Sequence, residues 1–301
     1  MSKMINPKYE QNKIAYLDND FIRKSTALQP LTDLEINLLL YMCYKAKENV
    51  NPLTNEGWTD IIEIDMKKFL DGIGYKKTWT NYNHKEKCAM YKALCQMQEK
   101  TFEIKTQKHI NKLASDNYIT IYKNYSYFSY IEYNEETGLL EISMPKQTQQ
   151  FLMNYETGFT PIEFKNIIKL KSKYAKILYL FFRSYRDGVN YTDYTIEHLR
   201  QLLGLTNEYP DWYNFKRYVL IPAINEINTK TDIIVTGKKS KYNNLLKNKN
   251  ISELSSINQT KLIVDSMAQK GDKGKSIYKI SFSVNKNKTY KDTEIDFSGL
   301  I

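Results

Sequence analysis

The sequence is poor in the residue types on which most metal and redox sites depend. Only 3 cysteines and 3 histidines occur among 301 residues. Cys43, Cys88 and Cys95 lie in stretches rich in apolar residues, so we expect them to be small buried side chains in a reducing compartment. The scattered histidines offer no spacing for the four converging ligands of a zinc site. We therefore expect no metal and no cofactor.

Motifs of nucleotide hydrolysis and DNA cleavage are also missing. The segment GDKGKS (271–276) ends like a phosphate-binding loop, but Gln269 stands where that motif requires a glycine, and the segment precedes a strand instead of following one. No two histidines stand one residue apart, as they do in DNA-nicking enzymes that use a nucleophilic tyrosine. The sequence also has no cluster of acidic residues of the kind that would indicate a metal-dependent nuclease. We expect no catalytic residues and no enzyme activity.

Long hydrophobic runs are absent as well. No apolar run approaches the roughly 18 residues of a membrane span, and the first residues, MSKMINPKYEQNK, are too polar for a secretory leader. An apolar content of 42% in 301 residues provides the cores of two domains. These features predict a soluble, cytoplasmic protein that has no contact with a membrane.

Positive charge, by contrast, is in excess and unevenly placed. The formal net charge is +10, and residues 160–250 hold 16 Lys and Arg against 8 Asp and Glu. A basic block within a folded, aromatic-rich region indicates a polyanionic partner. A membrane-surface helix would need an open apolar face beside its basic face, whereas the apolar faces here are taken up by predicted cores. Nucleic acid is the favoured partner.

Helix and strand patterns occur in the same order in both halves of the chain. In the first half, Thr32 and Glu35 form a predicted capping box, and Asp65 opens a short helix that ends at Gly72 and Gly74. The predicted elements are a helix over 31–47, a strand over 60–64, helices over 66–70 and 84–98, and strands over 102–106, 118–133 and 139–144. The turn NEETG joins the last two strands.

The second half repeats this order. Thr195 caps a short helix that ends at Gly204. The predicted elements are helices over 170–186, 195–203 and 212–228 and strands over 232–237 and 277–284, which pair as a wing. We predict an α+β fold of two tandem winged-helix domains, 1–155 and 156–301, each with a helical core and a small antiparallel sheet.

A long insert separates the two wing strands of the second domain. Residues 238–276 are rich in Lys, Asn and Ser, and hairpin loops are usually only a few residues long. The composition is compatible with a flexible arm that contains a helix over 252–267. The insert and the tail, 285–301, predict no function.

The helix over 212–228 is the predicted DNA reader, because the second helix of a helix-turn-helix enters the major groove. One side of its helical wheel packs inward: Trp212, Phe215, Val219, Ala223 and Ile227. The other side faces outward: Asn214, Arg217, Tyr218, Ile221, Asn225 and Asn228. The predicted base-reading residues are Tyr213, Asn214, Arg217 and Tyr218. Ile221 suits a thymine methyl or a protein neighbour equally, and Pro222 should bend the helix.

Lysines provide the predicted contacts to the DNA backbone. In the second domain these are Lys169, Lys171, Lys173 and Lys216, and Lys176 belongs to the same basic block. In the first domain they are Lys76, Lys77 and Lys85, where a solvated loop is an equally good interpretation. A winged helix that docks a protein is the competing interpretation of the second domain. The aromatic residues of strand 118–133 could stack single-stranded bases, but sheet packing explains them more simply.

Several sequence blocks, in order, resemble a known family. KLKSKYAKILYLFFRSYRDG, TIEHLRQLLGL and FKRYVLIPAINEINTKTDI are similar to the C-terminal winged helix of iteron-binding plasmid replication initiators. LTDLEINLLLYM, IIEIDMKKFLDGIG, YKALCQMQEKTFEI and FSYIEYNEETGLLEISM are similar to the N-terminal one. The resemblance covers residues 28–237 and the strand near 280, and the long insert departs from the family's usual short wing.

The resemblance implies a plasmid replication initiator. Such a protein binds direct repeats of origin DNA as a monomer, helps to open the origin, and recruits the host initiator and the replicative helicase. A homodimer, in equilibrium with the monomer and held through the first domain, represses the initiator's own gene at an inverted repeat. The alternative is a winged-helix transcriptional regulator without an initiation role, which the protein sequence cannot distinguish from an initiator.

Overall fold

The computed structural model of the protein describes residues 14–47, 61–74, 89–109, 118–134, 136–152, 158–185, 192–246, 254–270 and 277–290. The described chain divides into two compact units, the first ending at Pro161 and the second beginning at Ile162. The predicted boundary after residue 155 lies outside the described residues.

The first unit mixes short helices with antiparallel strands. Its elements are β1 (Ile14–Asp18), α1 (Asn19–Lys24), α2 (Asp33–Lys47), β2 (Ile62–Asp65), α3 (Met66–Gly72), α4 (Ala89–Glu99), β3 (Thr101–His109), β4 (Tyr118–Ser126), β5 (Tyr130–Tyr133), β6 (Leu139–Ser143) and α5 (Lys146–Leu152). The next strand, β7 (Phe159–Glu163), forms a two-stranded sheet with β1.

Local capping determines where the helices of the first unit begin. The backbone N–H of Thr32 donates to Glu35 Oε2 over 2.6 Å, and the N–H of Glu35 donates back to Thr32 Oγ1 over 3.3 Å. Asp65 accepts a hydrogen bond from the N–H of Lys68 at the start of α3, and Gly74 beyond its end has a φ of 79°. The predicted capping box and the predicted start of α3 are confirmed, whereas α3 runs to Gly72, two residues beyond its predicted end.

The other strands of the first unit form two separate sheets. A three-stranded sheet has the order β2-β6-β5, and in the described part of the chain β3 pairs with β4 alone, in a long hairpin. The prediction of one strand over 118–133 is wrong, because Tyr127 and Phe128 turn into the core between β4 and β5. A strand of alternating exposure cannot bury two successive side chains on one face.

The second unit has the same order of elements with additions. They are α6 (Phe164–Ile168), α7 (Lys173–Arg183), β8 (Thr192–Thr195), α8 (Ile196–Leu202), α9 (Trp212–Phe215), a π-helical segment (Lys216–Leu220), α10 (Ile221–Lys230), β9 (Ile233–Thr236), α11 (Lys239–Leu246), α12 (Ser256–Met267), β10 (Ala268–Lys270) and β11 (Ile277–Lys286). Thr195 Oγ1 accepts from the N–H of His198, which confirms the predicted cap of α8.

Sheet order shows that the two units repeat one architecture. In the second unit β11 pairs with β8 through residues 279–282 and with β9 through residues 283–286. In the first unit β6 likewise pairs with both β2 and β5. In each unit the last strand therefore pairs with the strand before the second core helix and with a strand that follows the third. The prediction of two winged-helix domains in an α+β chain is confirmed.

Helix α7 forms the centre of the second core. Every residue from Ala175 to Arg183 is buried, so this part of the helix is enclosed on all sides, whereas an amphipathic helix is buried along one face only. Lys176 is only 1% exposed. Including Lys176 in an exposed basic block was therefore wrong: its position on α7 places its stem inside the core.

A buried polar cluster joins α7 to the chain that follows α10. Asp232 accepts hydrogen bonds from Tyr179 Oη over 2.8 Å and from Asn166 Nδ2 over 3.1 Å. Arg183 Nε lies 3.3 Å from the other carboxylate oxygen. Burial, and then the negative charge of Asp232, raise the pKa of Tyr179 well above its ordinary value, so the phenol stays a donor. The cluster holds the end of α10 against the core.

The described part of the insert is folded. Helices α11 and α12 pack on each other, α12 packs on α10 and on β9, and β10 pairs with β11. The expectation of a helix within residues 252–267 is confirmed, and the expectation of a flexible arm is wrong for these residues. Thr260, Leu262, Val264 and Met267 of α12 are buried, so the insert contributes to the core of the second unit.

Candidate nucleic-acid interface

The helix that was predicted to read DNA runs from α9 through the π-helical segment to α10, and we call it the reading helix. Its hydrogen-bond pattern changes just before Pro222. Asp211 caps its start, and the N–H of Ile221 donates to the carbonyl of Lys216, five residues earlier. Pro222 has no N–H, so a regular α-helix would leave the carbonyl of Tyr218 without its donor. The widened π turn lies directly before this gap. The irregularity predicted at Pro222 is therefore a π turn within one helix.

The π turn also changes which residues the reading helix buries. Phe215, Val219, Ala223 and Ile227 are buried as predicted, whereas Trp212 is only half-buried. Ile221 was predicted to face outward, yet it is 8% exposed. Leu220, Ile221 and Ile224 are buried beside Ala223 and Ile227, so the packed side is wider after the π turn than an α-helical wheel predicts. Burial removes Ile221 as a candidate for thymine contact.

Three of the four predicted base readers lie together on the exposed side. Tyr213 is 60% exposed and Tyr218 is 51% exposed, with Arg217 exposed between them. Arg217 Nη1 lies 3.3 Å from Tyr213 Oη, and the guanidinium lies 5.3 Å from the centre of the Tyr218 ring. The two rings thus hold the guanidinium in a restricted set of positions, which favours a directed contact.

Tyr209 belongs to the same surface but was not predicted from the sequence. Its ring stacks on that of Tyr218 with 5.7 Å between centres, and its φ of 51° is in the left-handed region. Arg200 of α8 donates to the carbonyls of Glu208 and Tyr209 over 2.7 and 2.6 Å, which fixes the turn between α8 and α9. We call Tyr209, Tyr213, Arg217 and Tyr218 the tyrosine–arginine patch.

Asn214 is placed differently from the other predicted readers. Its backbone N–H and its side-chain Nδ2 donate to the two carboxylate oxygens of Asp211 over 2.9 and 2.7 Å. The backbone N–H of Asn214 is the main cause that lowers the pKa of Asp211, so the cap is ionised at neutral pH. Asn214 is half-buried, and one of its two side-chain N–H groups is occupied by Asp211, so a two-pronged bond to an adenine edge would have to use its other N–H and its Oδ1.

Lys216 is engaged by the insert. Its Nζ lies 2.7 Å from Asp265 Oδ1 on α12, and both side chains are partly buried. A phosphate would have to displace this carboxylate. The contact of Lys216 with the DNA backbone stays a prediction, and the carboxylate of Asp265 would compete with a phosphate for its ammonium.

Other predicted backbone lysines lie at the far end of the reading helix. Lys169 and Lys171 line an open groove of about 740 Å³ whose remaining walls come from the end of α10 and the chain after β11. The other lining residues are Asn228, Thr229, Lys230, Asn287, Thr289 and Tyr290. Lys169 Nζ donates to Tyr290 Oη over 2.6 Å. Lys173 is half-buried in the first turn of α7, and Lys76, Lys77 and Lys85 lie outside the described residues.

The aromatic residues of segment 118–133 are divided between the core and the surface. Tyr125 stacks on Phe102 and Phe151 at 5.3 and 5.5 Å, and Tyr127 is buried. Tyr122 and Tyr130 are 60% and 39% exposed. Packing therefore accounts for Tyr125 and Tyr127, and stacking of bases on the exposed rings stays a prediction.

Two other kinds of site are not found among the described residues. Within the described ranges, no helix combines the length and the apolarity of a membrane span. In the same ranges, His, Cys, Asp and Glu do not gather in groups of three or more that could hold a metal ion.

Family models match most of the chain. Residues 14–183 match "Initiator Replication protein, WH1", and residues 195–254 match "Initiator Rep protein, WH2". No curated protein matches the sequence. A crystal structure of the Pi initiator protein in complex with iteron DNA is similar with a TM-score of 0.56 and 15% identity, covering 90% of this chain and 96% of that one. Domains 2 and 3 of RctB show a weaker likeness: TM-score 0.40, 9% identity, and coverage of 83% and 81%.

The Pi structure shows that the fold is shared, and the first family model alone covers more than half of the residues. These matches establish that the chain belongs to the initiator replication protein family and carries its WH1 and WH2 domains in that order.

Proposed function

We propose that this replication initiator binds the direct repeats of a plasmid origin as double-stranded DNA and reads them with the helix from α9 to α10. The tyrosine–arginine patch carries the proposal. Arg217 is exposed on the second helix of a helix-turn-helix, and the rings of Tyr213 and Tyr218 hold its guanidinium. Arginine can bond both acceptors of a guanine edge in the major groove, and this is the commonest specific contact to DNA.

The same surface explains how the helix is presented to DNA. Asp211 caps the N-terminal end, Arg200 fixes the preceding turn, and the buried residues of α10 anchor the other side. A reader held on rigid elements loses little conformational entropy on binding. The Pi initiator protein, which has the same fold, was crystallised in complex with iteron DNA.

Binding at the origin is the first step of the proposed role. The bound monomers help to open the neighbouring AT-rich DNA and recruit the host initiator and the replicative helicase. A homodimer held through the first domain represses the chain's own gene. The protein works in the cytoplasm, without catalytic residues of its own.

Footprinting on the DNA upstream of its own gene tests this function. We expect protection of tandem direct repeats at regular spacing by the full-length chain, with binding that weakens steeply as salt rises. Protection of a lone inverted repeat, with no direct repeats bound, would instead make the protein a transcriptional regulator. Absence of any salt-dependent protection would contradict both roles and favour a protein-docking winged helix.

A further inference from the structure

Helix α12 of the insert runs antiparallel to the reading helix. Asp265, near the end of α12, pairs with Lys216 in the first half of the reading helix over 2.7 Å. Thr260, earlier in α12, donates to Asn225 Oδ1 in the second half over 3.2 Å. The end of α12 therefore lies beside the half of the reading helix that carries the tyrosine–arginine patch.

The chain on both sides of the insert returns to this same end of α12. Gly237, just after β9, approaches so closely that an added Cβ would lie 2.8 Å from the backbone nitrogen of Met267. Lys238 follows Gly237 directly, and Lys270 follows Met267 by three residues. Lys241 on α11 donates from its Nζ to the carbonyl of Ala268. Three lysines from three segments are thus gathered at one place, and we call Lys238, Lys241 and Lys270 the insert cluster.

The charges of the insert cluster act on one another. Burial is the largest cause that lowers the pKa of Lys241, and the positive charges of Lys238 and Lys270 lower it further, against the opposing effect of Asp265. All three side chains are exposed. An anion bound among them would relieve the repulsion between like charges.

We propose that the insert cluster binds phosphates of the DNA backbone beside the groove that the reading helix enters, and so takes the place of a short wing. This inference rests on the proposed function, because the duplex is positioned by the reading helix. The major groove is about 12 Å wide, so a helix inserted in it has a phosphate ridge on either side. A surface joined to the reading helix through Lys216 and Asp265 is in place to meet one of these ridges.

Salt-dependent binding of the full-length chain tests the cluster. The triple variant K238A/K241A/K270A is compared with K261A/K286A/K288A, which removes the same charge from exposed positions of the same unit. Each is titrated against a duplex with the direct repeats and against a scrambled duplex. For three lost phosphate contacts we expect the slope of log K against log salt to fall by about 2–3, on both duplexes. The control triple should keep the wild-type slope.

A second variant separates charge from folding. K238R/K241R/K270R keeps the charges and the donor to Ala268, so it should retain the wild-type slope, and unfolding in urea should show the alanine triple to be folded. A wild-type slope in the folded alanine triple, or an equal loss in the control triple, would overturn the inference. If the wild-type chain bound both duplexes alike, the proposed function would fail, yet the slope change would still establish the phosphate contacts.

Discussion

The ammonium of Lys216 in the reading helix lies 2.7 Å from the carboxylate of Asp265 in α12. This ion pair joins the predicted DNA reader to an insert for which the sequence suggested no function. It also places a negative charge beside an ammonium that was predicted to contact a phosphate.

Removing the carboxylate should strengthen DNA binding. In Asp265→Asn the side chain keeps its size, and Lys216 becomes available to a phosphate. We expect affinity to rise several-fold on every duplex and the salt slope to steepen by about 1, measured by fluorescence anisotropy at several salt concentrations. Glu63→Gln, which removes the same charge from the exposed side of β2, is the matched control. Equal affinity in Asp265→Asn and the wild type would show that Lys216 meets no phosphate.

Arg217→Ala should weaken binding to the specific site by about 1–3 kcal/mol and relax sequence preference. The reason is the loss of a two-pronged contact to a base edge. Arg217→Lys keeps the charge and loses the fork, so it should retain binding to scrambled DNA while losing discrimination. Competition binding with single-base variants of the site measures both. Unchanged affinity and selectivity in Arg217→Ala would remove this residue from the reading surface.

Lys171→Ala and Lys173→Ala should each weaken binding to all sequences alike. A phosphate contact carries no sequence information, and each lost contact reduces the salt slope by about 1. Lys261→Ala, on the exposed side of α12, is the control. A loss confined to one target sequence would contradict the assignment to the backbone. No loss in Lys171→Ala would leave the groove that Lys171 lines outside the DNA interface.

Gly237→Ala should destabilise the second unit by about 1–3 kcal/mol through overpacking. The new methyl group would lie 1.9 Å from Ser266 Oγ and 2.8 Å from backbone atoms of residues 266 and 267, so α12 must shift. Urea unfolding measures the loss. Adding Ser266→Ala should restore only part of it, because the backbone contacts remain. A double variant as stable as the wild type would show that the side chain alone limits the approach.

Cys43 should resist thiol reagents in the native protein. Burial raises its pKa to about 12, so the reactive thiolate is scarce at pH 8 and the sulfur is covered. In a Cys88→Ser/Cys95→Ser background we expect labelling by a chromogenic disulfide at the rate of local opening, and rapid labelling in urea. Native labelling as fast as in urea would contradict the burial of Cys43.

Features that depend on neighbours along the chain could be predicted from the sequence. The capping box of Thr32 and Glu35 and the cap at Thr195 were found because a cap bonds the backbone two or three residues away. The bonds between Asp211 and Asn214 are of the same local kind. An aspartate three residues before the asparagine was the signal that could have revealed them.

The sequence alone determined the repeated order of helices and strands, the excess of basic residues and the exposure of Arg217, because periodicity and composition act locally. Only the tertiary structure decided that Ile221 and Lys176 are buried and that the hairpin of β3 and β4 is separate from the sheet of β2, β6 and β5. It also decided that α12 packs against the reading helix. The physical reason is the same in each case. Packing between segments that are distant in the sequence determines which side chains are covered, and the local pattern of residues does not record that packing.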